Sequence, residues 1–234
     1  MFTINIKKTL FAFTLLGCML CMAPYVHAQN DSIPAEEEET ELSTGKVPFL
    51  RSLSIYADLG KPAASWLDTE SKLEGGIQVS LGNGIVAEAA YGQAELRPEQ
   101  VVENGSYYAD GSYLRFGAGY QWIIKETNLI QLMANYGMST FDDGGSVLIV
   151  SEVWDDYTAS YSRNDLSATW AEIAMLTETQ VIRSVYAGMA LRLRYLIDTD
   201  DFEGFPVRAI PGYGFAFNTT TPALNIYIRF RLPE

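Results

Sequence analysis

The sequence predicts an all-β fold: an eight-stranded antiparallel up-and-down transmembrane β-barrel with short periplasmic turns and long extracellular loops. Three observations predict it. First, residues 112–141 alternate by twos, with Leu114, Phe116, Ala118, Tyr120, Trp122 and Ile124 on one face and Tyr113, Arg115, Gly117, Gly119 and Gln121 on the other. After a polar turn at residues 125–128 the pattern resumes with Ile130, Leu132, Ala134, Tyr136 and Met138, and each arm matches the ~9–11 residues with which a tilted strand crosses a bilayer. Second, beyond the N-terminal segment no stretch approaches the ~18 consecutive apolar residues of a membrane helix, so any crossing falls to strands, whose backbone groups a closed barrel pairs completely. Third, the connections alternate between short and long.

Taken in order, residues 1–28 read as a signal peptide. Lys7 and Lys8 precede an apolar run from Thr9 to Met22, and Val26-His27-Ala28 is a small-residue cleavage site. Leu15-Leu16-Gly17-Cys18 also matches the box at which bacterial lipoproteins are cleaved and acylated, which leaves lipidation of Cys18 as the competing reading. Cleavage after Ala28 removes Cys18, Cys21 and His27, the only histidine, and with them any disulfide, thiol nucleophile, imidazole base or His/Cys zinc site. The formal charge then moves from -13 to -15, with 14 basic against 29 acidic residues, which argues against a nucleic-acid partner. Residues 29–48, with Glu36 to Glu39 in a row, read as an acidic disordered linker, and a plain acidic run lacks the spaced ligands and glycine of a calcium loop. Residues 49–234 form the barrel domain.

The first strand is expected over residues 51–59, where Leu53, Ile55 and Ala57 alternate with Ser54, Tyr56 and Asp58. A second runs over 72–81, and Gly82-Asn83-Gly84 turns the chain into a third, where Ile85, Ala87, Ala89 and Tyr91 oppose Glu88 and Gly92. The long hairpin supplies the fourth and fifth. The sixth, over 168–181, sets Ala171, Ile173 and Met175 against Glu172 and Glu178. The seventh, over 185–197, opposes Met189, Leu191, Leu193 and Tyr195 to Gly188, Arg192 and Arg194. In the eighth, Leu224, Ile226, Ile228, Phe230 and Leu232 alternate with Asn225, Tyr227, Arg229 and Arg231. Long connections are expected at residues 60–71, 93–111, 142–167 and 198–222, all rich in Gly, Asp, Asn, Ser and Pro.

Which face meets lipid follows from the charge. A soluble barrel hides its apolar face and coats itself with lysine and glutamate. Here only Lys46, Lys61, Lys72 and Lys125 remain after the leader, and the polar face carries small residues with mixed charges. Glu88, Arg115, Glu172, Arg192, Arg194, Arg229 and Arg231 are therefore expected to form a charge network in the lumen, where arginine forks meet carboxylates. Leu114, Phe116, Tyr120, Trp122, Leu191, Leu193, Ile226, Ile228 and Phe230 are expected to face lipid, with aromatic residues gathering toward strand ends.

Several short motifs carry a resemblance. Ala87-Glu88, the run Tyr136-Gly137-Met138-Ser139-Thr140-Phe141, Trp170-Ala171-Glu172, Ile210-Pro211-Gly212-Tyr213-Gly214 and the closing Arg229-Phe230-Arg231-Leu232-Pro233 resemble the small eight-stranded outer-membrane β-barrels of Bacteroidetes type, a porin-like family of unknown function. The resemblance implies export to the outer membrane of a Gram-negative bacterium, with outer-membrane lipid and the barrel-assembly machinery as partners. It supplies no catalytic role, and no cofactor or metal is expected.

The expected function is that of a non-enzymatic integral outer-membrane protein, structural or interaction-mediating, whose lumen is filled by side chains. Residues 142–167 either offer apolar contacts to an unknown extracellular ligand, through Val147 to Val150, Trp154, Tyr157 and Tyr161, or simply prolong two strands as a rigid hairpin; the second is favoured. The alternatives are a narrow channel for ions or small solutes, which eight strands barely leave room for, and a secreted lipocalin-like carrier of an apolar ligand. An acid–base pair such as Glu88 and Glu172 is the only enzymatic arrangement at hand, and a salt-bridge role suits those residues better.

Overall fold

The computed structural model describes residues 50–59, 70–98, 104–125, 127–150, 155–200, 202 and 205–232. The expected leader and linker, Trp154 and most of the connection after the first strand lie outside these residues. Within them the chain is all-β, with strands β1 (Leu50–Asp58), β2 (Glu70–Leu81), β3 (Ile85–Leu96), β4 (Gly105–Lys125), β5 (Asn128–Ile149), β6 (Tyr157–Ile182), β7 (Val185–Thr199), β8 (Ala209–Ile210), β9 (Gly214–Phe215) and β10 (Thr220–Arg231). Eight of them close a barrel in the order β1-β10-β7-β6-β5-β4-β3-β2, with every pairing antiparallel; each wall strand pairs with the next wall strand along the chain, β8 and β9 intervening between β7 and β10, and β10 closes the ring on β1. The ring and its up-and-down order match the expectation.

Local chemistry explains the tight end. Gly84 adopts φ +86, accessible to glycine, its N–H bonds the Leu81 carbonyl at 3.1 Å, and the Asn83 side chain receives the Ile85 N–H at 3.2 Å. The β6–β7 turn needs only Arg183 and Ser184.

The opposite end departs from the expectation. Residues 93–111, 142–167 and 198–222 are not simply loops: β3 runs on to Leu96, β4 begins at Gly105, β5 reaches Ile149 and β6 begins at Tyr157. β4, β5 and β6 span 21, 22 and 26 residues, which exceeds a bilayer-crossing strand by roughly ten residues and prolongs a three-stranded ribbon on the order of 30 Å past the wall. Within residues 142–167, β5 up to Ile149 and β6 from Tyr157 thus prolong two paired strands. The register shifts between Phe141 and Asp143, where Asp165, at φ 59, donates its N–H to the Asp142 carboxylate at 2.9 Å. That irregularity lies where the ribbon leaves the barrel.

Residues 198–222 hold a second departure. Instead of passing over the mouth, they fold the small β8–β9 hairpin into it, and Ile210 and Tyr213 are fully enclosed. Around them pack Tyr107, Tyr113, Phe141, Leu166 and Trp170, so the wide end of the barrel has an apolar core of its own. Gly212, at φ +81, lies flat on Tyr113, where a β-carbon would stand 2.4 Å from the ring. Gly212→Ala should therefore loosen this plug by about 1–3 kcal/mol, and limited proteolysis of the folded protein should cut faster within residues 205–219. An unchanged cleavage rate would contradict the packing described.

Candidate functional site

The lumen below the plug is the most chemically organised part of the molecule. Inward positions come from all eight wall strands, because the pleat sends alternate side chains to opposite faces. Arg115 and Arg229 are each 1 % exposed, while Leu114, Phe116 and Ile228 beside them are 49, 48 and 43 % exposed. The hydrophobic side of the ribbons faces out and the charged side in.

Inside, one network of ion pairs spans the barrel. Lys72 sits 3.6 Å from Asp58 and 3.0 Å from Glu74. Arg115 reaches Glu74 at 2.7 Å, Glu88 at 3.4 Å and Glu172 at 3.6 Å. Glu172 also takes Arg192 at 2.6 Å, Arg194 at 3.0 Å and a hydrogen bond donated by Asn135 at 2.9 Å. Through Glu88 the chain continues to Arg229 at 4.0 Å, then to Glu178 at 2.8 Å and Arg231 at 3.9 Å. Among the described residues five carboxylates thus meet six cations, near enough to neutrality to offset the desolvation of so many buried charges.

Aromatic hydroxyls complete the net. Tyr113 donates to Glu74 at 2.5 Å, Tyr227 donates to Glu178 at 2.8 Å, and Tyr56 accepts from Arg115 at 3.2 Å. The Arg229 guanidinium lies 5.4 and 5.3 Å from the Tyr56 and Tyr227 ring centres, within cation–π range. Toward the tight end amides take over: Gln78 donates to Gln131 at 2.9 Å and Ser80 to Gln121 at 3.4 Å. An eight-stranded barrel has an interior just wide enough to be filled in this way. At the upper end, Arg194 donates to the Tyr213 carbonyl at 2.9 Å, tying the network to the plug. Above it Tyr107 donates to Asp143 at 3.0 Å, and burial pushes its phenol above the ordinary value.

Of the residues expected in the lumen, Glu88, Arg115, Glu172, Arg192, Arg194 and Arg229 are buried in this one network. Arg231 joins it only at its edge, with its side chain 25 % exposed and its guanidinium 4.2 Å from the Tyr186 ring centre. Glu88 and Glu172, considered as an acid–base pair, are both bound by Arg115. Of the outward set, Leu114, Phe116, Tyr120, Trp122, Leu193, Ile226, Ile228 and Phe230 are exposed. Leu191 lies on the same outer wall and is half-buried between its cross-strand neighbours Met175 and Leu224.

Four residues the sequence reasoning passed over are central here: Tyr56, Tyr113, Trp170 and Tyr227. Each stands directly across from a glycine, in the pairs Tyr56–Gly76, Tyr113–Gly92, Trp170–Gly137 and Tyr227–Gly188. A β-carbon on any of those glycines would lie 2.1 to 2.6 Å from the facing ring, so the ring lies over the glycine and fills the lumen sideways. The readable signal was the parity of these aromatics, which is that of the charges and not of the apolar face. No curated protein matches the chain. A family model described as a domain of unknown function, DUF6048, matches residues 3–233, and the chain belongs to that family.

Proposed function

We propose that this protein is a non-enzymatic integral outer-membrane β-barrel, exported by its leader, with a structural or interaction role and a lumen closed to solutes. The observation that carries the reading is the inversion of the wall. Leu73, Ile77, Phe116, Leu132, Ile173 and Leu193 form an apolar outer belt, and arginines and glutamates lie inside. In water that arrangement exposes a far larger apolar patch than a monomer tolerates, and in lipid it is the favourable one. Tyr120 and Trp122, 5.0 Å apart near the tight turns, and Tyr91 and Tyr195 toward the opposite end suit the two interfaces. The secreted-carrier alternative requires the reverse orientation, and the channel alternative requires a free path through the network and plug.

The projecting ribbon supports an interaction role. Its tip leaves Leu148, Ile149, Val150 and Tyr157 exposed, beyond the level at which lipid would cover them. In the outer membrane the ribbon would point away from the cell.

The folded protein should migrate faster on a gel before boiling than after, stay with membranes through a carbonate wash, and accept label at the ribbon tip on intact cells. Planar bilayers holding it should pass no current. Release by carbonate would defeat the membrane reading, and steady single-channel current would defeat the closed lumen.

A further inference from the structure

The outer wall changes character at one level. Tyr91, Leu114 and Met138 stand side by side on β3, β4 and β5 and end the apolar belt. Apart from Leu73 at its edge, the next outward row is polar, with Gln93, Ser112, Thr140 and Ser167, and the row above it holds Ser71, Glu95, Asp110 and Asp142. Each row is joined strand to strand along its length, so the wall is continuous here.

At this step lies a hollow of about 580 Å³. The short side chains of Ser112 and Thr140 form its floor, Leu73 and Tyr91 border it on the side of the belt, and Glu95 and Asp142 border it on the other. The lining accepts hydrogen bonds more readily than it donates them. Gln93 donates to the Tyr91 hydroxyl at 3.0 Å, and its carbonyl oxygen takes no hydrogen bond among the described residues. Asp110 is held on both oxygens by Arg97, but no cation lies within 4.0 Å of Glu95 or Asp142 among the described residues. Asp142 takes the Asp165 N–H on one oxygen and keeps the other. These acids stand apart: among the described residues no three are grouped as metal ligands. A metal ion or a lone ammonium is also far smaller than the hollow and leaves Tyr91, Ser112 and Thr140 unused. A ligand that fits fills a cavity of this size, carries donors spread over its edge, and has one apolar face for the Tyr91 ring.

We propose that this hollow binds an uncharged sugar, with its hydroxyls donated to Glu95, Asp142 and the Gln93 carbonyl and its C–H face laid on the Tyr91 ring. A carboxylate accepts an O–H donor at charge-assisted strength. The same carboxylates repel uronic-acid and phosphorylated sugars. The level also suits a sugar, because the hollow opens directly above Leu114 and Met138, where acyl chains give way to head groups. The sugar is carried either by a glycolipid beside the barrel or by a free oligosaccharide, and the site asks the same chemistry of both.

The inference gives a ligand class to the interaction role and rests on the membrane reading, and the test separates the two. The full chain is placed in phosphatidylcholine nanodiscs, with its fold checked by heat-modifiable migration and its membrane residence by carbonate washing of matching vesicles. It is then carried over an array of neutral, uronic-acid and phosphorylated oligosaccharides. Neutral members should retain it and acidic ones should not, with or without EDTA. Toward the neutral member that holds it most tightly, Glu95→Ala should weaken affinity about tenfold, the size of a lost charge-assisted contact. Ser112→Trp, which fills the floor from the exterior face, should abolish binding, and both variants should migrate as the parent does. Nanodiscs that contain the diacylglycerol glycoside of the retained sugar assign its source: lost array binding means a glycolipid head group, and unchanged array binding means a free saccharide. Loss of the protein to carbonate overturns the membrane reading itself. Residence in the membrane with no neutral member bound, with acidic members bound equally, with EDTA releasing the sugar, or with affinity unchanged in Ser112→Trp overturns the sugar site alone.

Discussion

Glu172→Leu should lower the unfolding free energy by about 3–5 kcal/mol, the cost of breaking a buried ion pair from one side. The carboxylate stands among Arg115, Arg192 and Arg194, which are 1, 4 and 6 % exposed and approach it to 3.6, 2.6 and 3.0 Å. Removing it leaves Arg192 and Arg194 without an ion pair among the described residues, beside an Arg115 that keeps only Glu74 and Glu88. Glu172→Gln retains the volume and an acceptor for Asn135 and should fall between. The double variant Glu172→Leu with Arg192→Met should be more stable than Glu172→Leu alone, since Arg192 has no other ion pair within 4.0 Å among the described residues. Urea unfolding in vesicles, followed by tryptophan fluorescence, measures all three. Arg97→Ala provides the contrast: Arg97 pairs with Asp110 on the exterior, with side chains 45 and 39 % exposed, and should cost no more than about 1 kcal/mol. A Glu172→Leu cost as small as that would mean the lumen is wetter and looser than described.

The parts of this molecule legible in its sequence are those where the two faces of a strand meet different surroundings. Between Leu114 and Trp122, or Leu224 and Phe230, apolar and polar residues take turns without interruption, and both ring order and facing follow. Past the rim the contrast fades. Asp142-Asp143-Gly144-Gly145-Ser146 has no apolar period, because both faces of the projecting ribbon meet water or a thin apolar packing layer, and turn-like composition there conceals a strand. The plug was hidden for another reason. Ile210-Pro211-Gly212-Tyr213-Gly214 was visible as a motif, yet its burial depends on Tyr113 and Trp170 meeting above the ion pairs, a contact between distant strands. The Tyr–Gly and Trp–Gly pairs likewise depend on register, which alternation within one strand does not determine.

Phe116→Arg tests the reading that gives this architecture its purpose. Phe116 is 48 % exposed on the outer wall, opposite Ala89 and Tyr136, and its ring lies 5.6 Å from that of Tyr136. Its place in β4 is between the Tyr120–Trp122 pair near the tight turns and Leu114, which faces Tyr91 toward the other end, so it occupies the middle of the belt. An arginine at the middle of a bilayer on a barrel's lipid face costs about 2–4 kcal/mol, falling to about 0–1 near the interfaces. In water the same exchange at an exposed site falls within about 0.5 kcal/mol. The two environments therefore predict different magnitudes for one substitution. In vesicles Phe116→Arg should lose stability and slow the appearance of the heat-modifiable band, while Ser106→Arg, on the projecting ribbon, should leave both unchanged. Equal stability of Phe116→Arg and the parent in vesicles would mean the outer belt does not touch acyl chains, whatever the charge inside the barrel.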